Sequence, residues 1–147
     1  MKKLIAFNKN LGKRLSKLKD FPLLFIRLIL AFGFYGPAIM KLKNIDSIIS
    51  WFTDMGLPMP TLNAYMATAT ESLGVLFLIL GFSTRIISIP LIVVMLVAIK
   101  TVHLSHGFES GNNGFEIPLY YIIMLFALLV YGPGKYSLDY LMNKKVK

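Results

Sequence analysis

Apolar residues gather into four runs, each long enough to cross a hydrocarbon core of about 30 Å: Phe21 to Met40, Leu62 to Phe82, Ile86 to Leu104 and Phe115 to Tyr131. Only Ser83, Thr84 and Arg85 separate the second run from the third. A connection that short predicts a tight antiparallel hairpin, so those two helices are neighbours. Two weaker patterns flank the first run. Before it, Leu4, Phe7, Leu11, Leu15 and Leu18 recur at steps of three and four with lysines between them, which predicts an amphipathic helix on a membrane surface. After it, Ile45, Ile48, Ile49 and Phe52 share one helical stripe, and Gly56 and Pro58 are placed to end that helix. Trp51 in this segment suits the headgroup level. The expectation is an all-α integral membrane four-helix bundle with a short amphipathic helix in the first external loop. It divides into a basic amphipathic tail at 1–20, a transmembrane domain at 21–140 and a second basic tail at 141–147.

Composition supports lipid as the solvent: 56% of the 147 residues are hydrophobic and the mean hydropathy is +0.66. The net charge of +9 is compatible with nucleic acid or anionic lipid until the positions are considered. The cations flank the apolar runs and form no base-reading module, so the lipid bilayer is the expected partner and nucleic acid is not. Lys2, Lys3, Lys9, Lys13, Arg14, Lys17, Lys19, Arg85, Lys135, Lys144, Lys145 and Lys147 fall on one side; Lys41, Lys43 and Lys100 fall on the other. The positive-inside rule then predicts a multi-pass inner-membrane protein with both termini in the cytoplasm. The first run carries Arg27 and has no small-x-small site before Lys41, so it reads as an uncleaved anchor. Cysteine is absent, which excludes disulfides, thiolate metal sites and iron-sulfur ligation by this chain.

Ionisable groups inside spans cost about 3 kcal/mol each on insertion scales, and each one calls for a partner or a role. The first span holds Arg27 and Lys41, the second Glu71, the third Lys100 and His103, and the fourth Glu116. Threading the helices places Lys41, Lys100, His103 and Glu116 near the outer boundary and Glu71 roughly 14 Å below it. Glu71 shares a stripe with Ala64, Ala67, Gly74 and Leu78, the small-residue surface along which membrane helices approach, and should face protein. Glu116, Tyr120, Ile123 and Ala127 form a comparable stripe, expected to turn inward. Gly36 and Pro37 interrupt the first span, and the proline removes the hydrogen bond to the Gly33 carbonyl. Buried ion pairs that only set helix register, and a Lys41 that snorkels to the headgroups, are the structural readings of the same residues. His103, His106 and Glu109 suggest a metal only weakly, because Gly107 should end the helix between them. Two histidines on one segment likewise offer no bis-histidine haem site.

The order RLIL, GPAIMKL, MGLPMP, ESLGVLFLILGFSTR, VHLSHGF, FEIP and GPGKYSLD resembles the DoxX family over about Phe21 to Tyr140. The specific parts are the closing GPGKYSLD and the second-span Glu followed by a GxxTR hairpin. This resemblance implies a four-helix bacterial membrane protein tied to redox systems, such as the membrane subunit of a thiosulfate:quinone oxidoreductase. By position, Arg27, Lys41, Glu71, Arg85, His103, Glu116 and Asp139 match the family pattern, whereas His106 stands where another residue is usual.

The functional expectation is a quinone-interacting subunit with Glu71, Glu116 and His103 carrying protons and Arg27, Lys41, Lys100 and Tyr120 holding the quinone. Quinone reduction takes up two protons with two electrons, and carboxylates and histidine are the side chains that can relay them. No haem, flavin or cluster motif supplies the electrons, so a redox partner subunit must. A non-catalytic scaffolding or assembly subunit is the alternative. A small-solute carrier is disfavoured, because four short helices leave little room for alternating access unless the chain forms a homo-oligomer.

Overall fold

A computed structural model describes residues 1–145, so Lys147 of the basic C-terminal tail lies outside the described residues. The chain is helical: α1 (Lys2–Leu15), α2 (Asp20–Lys43), α3 (Ile45–Asp54), α4 (Pro60–Leu80), α5 (Thr84–Ala98), α6 (Glu116–Tyr131) and α7 (Leu138–Lys145). A 3-10 turn, Ser16–Leu18, joins α1 to α2; α5 runs on through a π-helical turn, Ile99–His103, to His106. Three helices are long and apolar enough to cross a membrane: Asp20–Lys43, Pro60–Leu80 and Thr84–His106. At 1.5 Å per residue they measure about 36, 32 and 34 Å. The apolar α6 is shorter, with 16 residues.

One core is shared by four helices. Leu30, Ala31, Phe34 and Ala38 of α2 meet Val75 and Leu78 of α4, Ile87 and Leu91 of α5, and Leu125 and Leu128 of α6. Around it α4 packs between α2 and α5, and α6 closes the ring against α5 and α2. The outward surface carries Phe25, Phe32, Leu73, Leu76, Ile89 and Phe126, large apolar side chains left exposed by the fold. Water would penalise such a surface; lipid does not. Gly74 lets α5 approach α4, since a Cβ there would stand 2.9 Å from a methyl group of Leu91.

Helix ends follow the local signals. Pro60 occupies the first turn of α4, where its missing N–H is not needed, and Gly81 ends that helix at φ +64°. Gly56 after α3 and Gly107 after the α5 extension also take positive φ. Pro37 lies inside α2, which continues as one helix to Lys43. The predicted stripe of α3 is realised: Ile48 and Phe52 pack on Ala64 of α4, with Ile45 and Ile49 beside them.

One expectation is overturned. The Glu116, Tyr120, Ile123 and Ala127 stripe does not turn inward, because Tyr120 is 44% exposed and Ile123 59%. The buried face of α6 holds Pro118, Leu125 and Leu128, with Tyr121 edge-on to Phe34. Apolar residues surround α6 on all sides, so periodicity cannot choose its inner face. Glu116 also has local partners and needs no buried cation.

Candidate functional site

Lys41 falls on the buried α2 stripe with Phe34 and Ala38, and Glu71 falls on the buried α4 stripe with Ala64, Thr68 and Leu78. Adjacent helices therefore present the two charges to each other. Lys41 Nζ donates to Glu71 Oε2 at 2.6 Å, with the residues only 9% and 2% exposed. Among the described residues Glu71 is the acceptor that Lys41 reaches, which leaves two of its three ammonium hydrogens uncommitted. Thr68 beside the pair is satisfied within α4, its hydroxyl donating to the Ala64 carbonyl at 2.7 Å.

The pair borders a cavity of about 540 Å³. Trp51, Phe52, Met55 and Leu57 close one side from α3 and its loop; Met66, Ala67 and Thr70 of α4 and Ile89, Val93, Val94 and Val97 of α5 form the others. Its volume falls within the range of small-molecule sites, and its walls are mainly apolar around one charged pair. Met66, Ile89 and Val93 are each more than half exposed. They line the cavity and also face outward, so it opens sideways between α4 and α5 towards the surface that contacts lipid. Thr101 and Val102 reach the cavity from the π-helical turn, a distortion common beside functional sites.

The other predicted residues are placed differently. Glu116 accepts hydrogen bonds from the Ser110 backbone N–H at 3.0 Å and the Tyr120 hydroxyl at 2.9 Å, forming a local knot at the start of α6. His103 Nδ1 lies 2.7 Å from the Asn113 carbonyl, and Lys100 is exposed. The structure thus joins Lys41 to Glu71 and Tyr120 to Glu116, with no hydrogen bond or ion pair linking these two groups among the described residues. Among those residues no three His, Cys, Asp or Glu side chains converge to hold a metal.

Arg27 stands fourteen residues before Lys41 on α2, about 21 Å along the axis, and does not line the cavity. Fully buried, its Nη2 donates to the Tyr136 carbonyl. Asp139, three residues after Tyr136, takes part at the same end, with no ion pair to Arg27 among the described residues. The Asp139 carboxylate accepts from the backbone N–H groups of Ser83 at 2.7 Å and Thr84 at 3.1 Å, capping α5, while its own N–H donates to the Gly81 carbonyl at 3.1 Å. Asp20 ties α2 to the same segment through the Lys135 backbone N–H at 3.1 Å and Lys135 Nζ at 3.7 Å. These contacts form a clasp across the Arg27 end of the helices. Residue type alone could not reveal it, since Asp139 lies more than fifty residues from the α5 amides it caps.

Long apolar helices with an exposed apolar exterior, enclosing a buried ion pair, define an all-α integral membrane protein. The DoxX family model matches residues 22–104. The chain belongs to the DoxX family. An uncharacterized protein of Haemophilus influenzae is 30% identical over 130 residues, covering 83% of each chain. A putative oxidoreductase, CatD, of Bacillus subtilis is 29% identical over 105 residues, 71% of this chain and 73% of that one. An uncharacterized membrane protein of Mycobacterium tuberculosis is 30% identical over 131 residues, 82% of this chain and 80% of the other. No solved structure matches.

Proposed function

We infer that the protein is an inner-membrane subunit of a redox system that binds quinone in the cavity bordered by Lys41 and Glu71. The observation that carries this reading is the combination of an apolar chamber open towards lipid with a buried ion pair at its wall. A lipid-soluble molecule with a compact polar head fits that combination: the chamber takes the ring and the start of its tail, and uncommitted Lys41 hydrogens face the head. Bound quinone would supply two-electron, two-proton chemistry. The chain's own part is to present N–H donors from Lys41, hold an exchangeable proton at Glu71 and exclude water with Trp51, Phe52 and Val94. His103, Glu116, Tyr120 and Lys100 do not line the cavity and have no direct part in this proposal. Arg27 is given the clasp in place of the quinone. The name putative oxidoreductase, borne by the Bacillus subtilis relative, agrees with a redox role, and electrons come from a partner subunit.

Protein purified in a mild detergent and loaded with quinone is expected to show a borohydride-induced ultraviolet difference spectrum that Glu71→Gln abolishes while the bundle stays folded. Equal retention by the two proteins, or none by the wild type at any loading, would leave the scaffolding role in front. That second reading draws on one observation: Lys41–Glu71 and the Asp139 clasp also serve to fix how the helices pack.

The same proposal has α6 as a fourth crossing, with both termini and Arg85 in the cytoplasm because twelve of the sixteen cations lie on that side. Reporter fusions after residue 20, within 83–85 and after residue 140 should report cytoplasm, and fusions near Asp54 and Gly111 the outside. A hairpin at 83–85 found outside would invert the topology.

A further inference from the structure

Among the described residues, α1 and the turn after it leave a complete apolar stripe uncovered: Leu4, Phe7, Leu11, Leu15 and Leu18 are each 40 to 72% exposed. These positions span about 80° of a helical wheel at 100° per residue. Lys9, Lys13 and Lys17 occupy the opposite side, Arg14 flanks the stripe, and the first nineteen residues carry seven cations and no acid. We propose that α1 is a paddle that lies on the anionic surface of the bilayer, with its leucine and phenylalanine stripe sunk among the lipid chains.

Three observations select this occupant. The turn Ser16–Leu18 connects α1 directly to α2, a helix long and apolar enough to span, which holds the stripe within a few residues of the headgroups. Charge decides between lipid and a second copy. Pairing two copies of the first nineteen residues would bring seven cations against seven, whereas an anionic leaflet neutralises them and releases counterions. Length agrees as well: 14 residues give about 21 Å, ample to lie in the interface and too short to cross it. Arg14, flanking the stripe, can bury its stem and keep its guanidinium at the phosphates. The paddle makes the protein responsive to lipid composition at a place remote from the Lys41–Glu71 cavity.

Native cysteine is absent, so a single introduced thiol labels cleanly. Full-length Leu11→Cys and Lys13→Cys proteins, each carrying an environment-sensitive fluorophore, are placed in nanodiscs of phosphatidylcholine alone or with anionic phosphatidylglycerol. The expected result is a blue-shifted Leu11 probe, several-fold less accessible to acrylamide, in the anionic discs only. The Lys13 probe remains accessible in both. Replacing Lys9, Arg14 and Lys17 by Gln, or raising the salt, should expose the Leu11 probe again. A Leu11 probe equally accessible in both kinds of disc would overturn the proposal. Shielding that ignores lipid charge and comes with cross-links between copies would overturn it too, in favour of a protein-protein contact. Nanodiscs offer the same lipid on both faces, so neither result depends on topology or on quinone binding.

Discussion

Lys41→Met alone is expected to lower stability in detergent by about 3 to 5 kcal/mol, because it strands the Glu71 carboxylate in a site that is 2% exposed. Glu71→Leu should have a comparable effect, leaving an ammonium without its acceptor. The double variant Lys41→Met with Glu71→Leu should recover most of the loss, since two apolar side chains need no partner and fit an apolar wall. Denaturant titration of the four proteins closes a double-mutant cycle, and the coupling should be of the same order as the single losses. A coupling near zero would mean that the 2.6 Å contact contributes nothing in the folded bundle. The cycle also separates two roles that coincide at Glu71. A double variant that folds as well as wild type but no longer retains quinone assigns the pair to binding; one that folds and retains quinone assigns it to packing.

At the other end of the helices, Asp139→Ala should cost about 1 to 2 kcal/mol, through two losses that act together. The Ser83 and Thr84 amides lose their acceptor, which by itself costs about 1 kcal/mol as for other helix caps. The buried Arg27, which makes no ion pair with Asp139 among the described residues, also loses the longer-range attraction of that carboxylate. Asp139→Asn keeps a hydrogen-bond acceptor and should fall between. Adding Arg27→Met to Asp139→Asn should restore part of the stability. Gly81→Ala should disturb the same clasp without removing any charged group. At φ +64° the backbone disfavours a side chain, and a Cβ would sit 1.8 Å from Arg27 Nη1. Thermal unfolding of fluorescently tagged protein reads all of these. Quinone retention per folded molecule should stay at the wild-type level in Asp139→Asn. A selective loss there would return Arg27 to the binding machinery.

How much of this was legible without the fold differs from helix to helix. For α4 the inner face could be read directly, because Ala64, Gly74 and Glu71 interrupt an otherwise large and apolar surface, and small or charged residues have reason to avoid lipid. For α3 the stripe ending at Phe52 was plain, since one side of that helix is polar. For α6 neither signal operates. Its sides are equally apolar, so its rotation depends on how Leu125 and Leu128 meet α5 and α2, and its Glu116 is satisfied by Ser110 and Tyr120 close by.

The sequence by itself determined the helices that lipid requires, their approximate ends, the tight hairpin at 83–85 and the amphipathic segments, because helix length and capping are local properties of the chain. Only the tertiary structure decided that Lys41 meets Glu71 beside a cavity, that Asp139 caps α5 from across the chain, and which side of α6 faces the core. Those choices rest on contacts between residues 30 or more positions apart. In a solvent as apolar as the helix surfaces, side-chain packing and charge pairing select them, and hydropathy does not.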